Sequence, residues 1–215
     1  MKNVLAVVFG AFLLVFAGVA NAVLVTSLPE GTVVSIPNLG SWGTGPQTFD
    51  GIVWTSTNSE HNYGSVFGST TSYGFGSNGT WYSPFGPYVG LNSPSDTMTF
   101  TFTTPVSGVG GFMNYAPNSN YGIPVISAYD SSNNLIESYT LNWNFNNYGA
   151  SNSGFFYGFS EDSATIKYFT LSNSFIAITN LTTTTSAPVP IPGALVLFGS
   201  GLLGLVGIGR KKFRR

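Results

Sequence analysis

The chain of 215 residues has no cysteine, a single histidine and very little charge, its 7 Lys+Arg and 8 Asp+Glu making up 7% against about 25% in ordinary soluble domains. Each shortage removes a class of chemistry. Without cysteine there is no disulfide framework, no thiol nucleophile and no thiolate metal site, and one histidine cannot build a zinc site of several imidazoles. The lack of a basic face excludes nucleic acid as a partner. What is abundant instead is Gly (27), Pro (12) and aromatic residues (15%), so Ser, Thr and Asn must supply the polar surface.

The few charges are unevenly placed. Lys2 stands at one end and Arg210, Lys211, Lys212, Arg214 and Arg215 at the other, Lys167 is the only cation between them, and all eight acids fall from Glu30 to Asp162. The middle of the chain therefore carries a net −7. Both ends pair cations with apolar runs, as membrane-targeting segments do. Lys2 precedes an uncharged apolar stretch from Val4 to Val19, and Ala20-Asn21-Ala22 puts small residues three and one positions before the bond to Val23. This predicts a signal peptide over 1–22, an apolar helix that signal peptidase removes between Ala22 and Val23.

The other end has three parts. Residues 182–188, Thr182-Thr183-Thr184-Thr185-Ser186-Ala187-Pro188, read as a polar linker. Val189-Pro190-Ile191-Pro192 follows as a rigid extended motif, and 193–209 is an uncharged apolar segment. At about 1.5 Å per residue, 193–209 makes a transmembrane helix of roughly 25 Å, near the short limit for a span. The basic tail 210–215 stops it, and by the positive-inside rule that tail stays cytoplasmic while the body is translocated.

Val189-Pro190-Ile191-Pro192, the glycine-rich core Leu197-Phe198-Gly199-Ser200-Gly201-Leu202-Leu203-Gly204-Leu205 and the terminal Arg/Lys cluster together resemble the PEP-CTERM sorting signal. The resemblance covers 189–215 and includes a departure, Ile191 where the family name has Glu; a Val-Pro-x-Pro form is a common variant. It implies recognition by exosortase, an integral-membrane transpeptidase-like cysteine protease of Gram-negative bacteria that make exopolysaccharide, with the tail removed near the motif. It also implies export across the inner membrane by the general secretion machinery, a transient membrane anchor, and a mature form at the cell surface or outside the cell, among exopolysaccharide or biofilm.

The body, 23–181, reads as all-β. From Thr97 to Thr103 the residues Met98, Phe100 and Phe102 alternate with threonines, the period of a half-buried strand. Turn signals then separate strands around 109–115, 124–130, 135–141, 155–160, 166–171 and 175–180. The second of these joins the third through Ser131-Ser132-Asn133-Asn134 as a hairpin. Earlier, 33–36 and 51–55 are further strands in a looser region. No amphipathic helical period interrupts them, so the expected fold is an antiparallel, jelly-roll-like β-sandwich. This region also loosely resembles extracellular domains common in PEP-CTERM proteins.

No catalytic constellation stands out. A Ser-His-acid triad would have to use His61, and no Gly-x-Ser-x-Gly elbow accompanies it. A glycosidase needs two carboxylates astride a cleft, whereas Glu161-Asp162 falls in a predicted turn. The chain is expected to be no enzyme and to need no cofactor. A structural calcium would draw on Asp50, Asp96, Asp130, Glu161 or Asp162, since Ca²⁺ takes six to eight oxygen ligands, often from loops. Asn78-Gly79-Thr80 and Asn180-Leu181-Thr182 match the N-glycosylation pattern but receive no role.

Between Gly40 and Gly90, aromatic residues are interleaved with Gly, Ser, Asn and Thr. Either they pack over one sheet as irregular loops, or exposed rings stack on sugars, with Trp81, Tyr82, Phe85 and Tyr88 as the carbohydrate contacts. The expected function is a noncatalytic surface or matrix protein associated with exopolysaccharide. The alternative is a secreted carbohydrate-binding module or, further off, a carbohydrate-active enzyme.

Overall fold

The computed structural model describes residues 22–58, 63–81, 86–118 and 120–185. The signal segment before Ala22 and the whole of 186–215, with the sorting motif, the apolar segment and the basic tail, lie outside the described residues. Among the described residues no helix is long and apolar enough to cross a membrane.

The described chain is all-β. Short strands come first: β1 (Val23–Val25), β2 (Thr32–Val33), β3 (Ser41–Gly43), β4 (Gln47–Phe49), β5 (Ile52–Ser56), β6 (Ser65–Ser69), β7 (Tyr73–Gly74), β8 (Thr80–Trp81) and β9 (Tyr88–Gly90). Longer ones follow: β10 (Thr97–Val106), β11 (Gly108–Asn114), β12 (Val125–Tyr129), β13 (Leu135–Thr140), β14 (Phe155–Ser160), β15 (Ile166–Ser172) and β16 (Ala177–Thr184). An eight-stranded sheet runs β1-β14-β11-β16-β9-β6-β3 with β2 beside β16, a six-stranded sheet runs β13-β12-β15-β10-β5-β4, and β7 pairs with β8 alone. Pairing between the strands is antiparallel throughout. From β9 to β16 each strand passes to the opposite sheet, except that the β12–β13 hairpin stays in one.

The alternation predicted for β10 explains how the sheets meet. Met98, Phe100 and Phe102 are buried and the intervening threonines face outward. Trp54, Phe100, Phe169 and Ala128 stand in register across the six-stranded sheet and enter the main core. The eight-stranded sheet returns Phe67, Val89, Val109, Met113, Phe159 and Ile178 to the same core. Phe159 meets Phe169 edge-on with centroids 6.3 Å apart, and Trp54 meets Phe67 at 5.0 Å. Each such ring, fully buried, contributes on the order of 1.5–3 kcal/mol by area alone, so the facing sheets form one sandwich.

One boundary differs from expectation. The threonine run read as a linker begins inside β16: Thr182 lies opposite Gly110 and Val33, Thr183 opposite Val109 and Thr32, and Thr184 opposite Gly108. Threonine is β-branched and fits a strand as readily as a linker, and Thr182 is buried. At the other end β1 starts at Val23, paired with Ser160, while Ala22 is buried against the core.

Candidate functional site

Of the aromatics proposed to touch sugar, Trp81 and Tyr88 are buried. Alternation along β6, β9 and β16 sends Val66, Tyr88 and Ala177 to the side of their sheet away from the main core, where they meet Phe75 and Trp81 in a second apolar cluster. Phe75 packs on Trp81 with centroids 5.0 Å apart, Trp81 on Tyr88 at 5.8 Å, and Tyr73 closes the group. The Tyr73 hydroxyl donates to the Leu91 carbonyl, and burial, with the neighbouring Tyr88, pushes its phenol well above the usual range. Trp81 is 1% exposed and Tyr88 3%. Neither offers a face to a ligand, which corrects the sugar-contact assignment for these two residues. Tyr82, Phe85 and His61 lie outside the described residues.

The acids considered for calcium are dispersed, each with a local task. Asp50 takes a positive φ in the two-residue Asp50-Gly51 turn between β4 and β5, the backbone shape that such hairpins require. Asp96 is buried and accepts from the Thr57 hydroxyl at 2.9 Å. Asp130 accepts from the backbone N–H groups of Ser132 and Asn134 and from the Asn134 amide. Those bonds, led by the Asn134 side chain, hold its carboxyl below the usual range. Glu161 is buried after β14, and Asp162 beside it is exposed. Among the described residues no three His, Cys, Asp or Glu side chains come together in a metal-holding group.

A surface that the sequence reading missed stands on the outer face of the six-stranded sheet. Strand register aligns Thr55, Thr99, Thr170, Ser127 and Ser138 in one row across β5, β10, β15, β12 and β13. On one side of this row lies Thr97-Ser172-Val125-Thr140. On the other lies Val53-Thr101-Tyr168-Tyr129-Leu135, with the two tyrosines directly opposite each other. A groove of about 740 Å³ runs over these rows, and Asn133 and Asn173 join its lining. No charged side chain lines it.

Some hydroxyls are already spent on one another: Thr97 with Ser172 at 2.8 Å, and Ser127 donating to Ser138 at 3.0 Å. Those of Thr99, Thr101 and Thr170 take no partner among the described residues. A hydroxyl both donates and accepts, so the rows present bivalent groups with no fixed sign of charge. Comparison with protein-family models, with curated proteins and with solved structures gives no match. The site is therefore read from its own chemistry.

Thr97, Thr99 and Thr101 were legible as one face of a strand. That Thr170, Ser127 and Thr55 complete a row with Thr99 depends on pairing between segments up to about seventy residues apart, and no local pattern carries it. Within the Gly40–Gly90 stretch the exposed rings among the described residues include two that were not named as sugar contacts. Trp42 and Tyr63 are 53% and 74% exposed and line a separate cavity of about 330 Å³ with Asn92. At another edge Trp143, Phe145 and Phe155 pack as a trio with centroids 5.0–5.2 Å apart.

Proposed function

We propose that the chain is an exported, noncatalytic surface or matrix protein, held briefly in the inner membrane and shortened near Val189-Pro190-Ile191-Pro192 by exosortase. The observation that carries this reading is the order of parts in the sequence: a cleavable apolar segment, a β-sandwich body, then motif, apolar segment and basic tail. The fold is compatible with loss of both ends. Removal of 1–22 takes only Ala22 from the described body, and a cut near Pro190 falls beyond Thr184, the last residue of β16. The winding of β9–β16 between two sheets supports a jelly-roll reading of the body, with β1 to β6 as added edges.

Fractionation of the producing cells tests it. The wild-type chain is expected in the medium or on the surface, and Pro190→Ala with Pro192→Ala is expected to accumulate in the inner membrane. An identical distribution of the two chains would count against exosortase processing.

A further inference from the structure

We propose that the outer face of the six-stranded sheet binds a neutral polysaccharide, with Tyr168 and Tyr129 as the platform for sugar rings and the uncommitted hydroxyls of Thr99 and Thr170 as the partners of their hydroxyls. The class of ligand follows from what the face carries. The body is poor in charge everywhere, so the lack of charge alone does not single this face out; its order does. One row holds a hydroxyl at every position across five strands, and the row beside it holds two adjacent tyrosines.

A sugar ring has the matching character. Its C–H faces are apolar and pack on an aromatic ring, while its edge bears hydroxyls that both donate and accept. Uncommitted threonine hydroxyls can meet such an edge in either sense, which Lys or Glu could not do. An anionic polymer would find no cation here: Lys167, the one cation of the body, donates to the Thr103 carbonyl and does not line the groove. A peptide strand is a poor fit, because β10, β15 and β12 already have both edges paired and the face offers side chains where strand addition needs free backbone.

The geometry also gives a direction. Neighbouring strands stand about 4.8 Å apart, comparable to the length of one hexose, so successive residues of a polymer can meet successive strands along a row. A polysaccharide lying across the strands would place neighbouring rings over Tyr168 and Tyr129 and their edges toward the row that holds Thr99 and Thr170. The groove, at about 740 Å³, has the size of sites for small ligands. Asn133 and Asn173, both at positive φ in turns, put amides at its margin.

The proposal names the partner of the body and rests on the export reading only for where that polymer is met. Binding in solution is independent of processing, so either can fail alone. The test is affinity electrophoresis of the full chain in mild detergent through gels containing mixed-linkage β-glucan, dextran, alginate, or exopolysaccharide from the producing cells. Retardation by a neutral glucan or by the exopolysaccharide is expected. Tyr168→Ala is expected to weaken it by roughly tenfold or more, and Thr99→Val with Thr170→Val, which keep the strand shape, by about threefold to tenfold. Retardation by the producer's polymer alone identifies the cell's own matrix as the source where sugar analysis shows that polymer to be uncharged and overturns the proposal where it is anionic, and retardation by the glucans alone indicates a foreign source. The circular dichroism melt of each variant shows that it is folded; if Tyr168→Ala does not fold, the threonine pair decides. No retardation by any neutral polymer, retardation by alginate only, or equal retardation of parent and folded variants would overturn the proposal.

Discussion

Asn78 is fully buried at the end of the 3-10 turn Gly76–Asn78, and both ends of its side-chain amide are used. Its Nδ2 donates to the Tyr115 carbonyl at 3.0 Å and its Oδ1 accepts from the Phe145 N–H at 2.9 Å. Its own carbonyl accepts from the amides of Asn114 and Asn152. One residue thus ties three loops together, and the glycosylation-like pattern around it describes a structural asparagine. Asn78→Ala leaves buried partners unpaired and is expected to cost about 2–4 kcal/mol, read as a lower urea midpoint at unchanged slope.

Glu161 works the other way. It is buried with Oε1 unpartnered, and its carboxyl is raised above 4.5 by burial and then by the charge of Asp162. A carboxyl raised on folding favours the folded state only while protonated. Its contribution is complete below the ordinary carboxylate range and is lost as pH rises through the raised value. Glu161→Gln is therefore expected to melt higher than the parent at about pH 7, with the gap closing toward about pH 4. A gap that is constant with pH would show that ionisation of Glu161 is not its source.

At the scale of elements, the strands from β10 onward were the most legible, and of the two expected earlier 51–55 matches β5 while 33–36 only overlaps the end of β2. The alternation at 97–103 and the turn residues at 131–134 and 161–163 mark the later strands, and 155–160 coincides with β14. Among the earlier ones, β1 to β4 are only two or three residues long, too short to show a period, and β6 and β9 lack a polar face. All five residues of β6 are buried, since the main core lies on one side and the second aromatic cluster on the other, so no period of two survives. Gly68 adds a further break: it takes a φ of +66° where the β6–β9 register shifts, and a Cβ there would come within 2.0 Å of the Pro37 carbonyl oxygen. The binding face was legible only strand by strand, because rows are set by long-range pairing.

The end of β16 carries an expectation of the same scale. A chain ended after Leu181, where the linker was expected, loses the pairing of Thr182–Thr184 with β11 and β2 and the bonds from Ser107 to Thr184. Compared with a chain ended after Thr185, it is expected to be less stable by about 2–4 kcal/mol. Equal urea midpoints would return those threonines to the linker.

For the whole molecule, the scarcity of charge separates into two facts. Six of the seven cations belong to the ends proposed to be removed, leaving Lys167 against eight acids. The mature body would carry about −7, enough to keep an uncharged binding face soluble and away from anionic surfaces. On that proposal the near-neutral total belongs to the precursor alone. Intact mass of the protein recovered from the producing culture tests this account most directly. A product that starts at Val23 and ends near Pro190 is the expected result, and one that still contains Arg215 would contradict it.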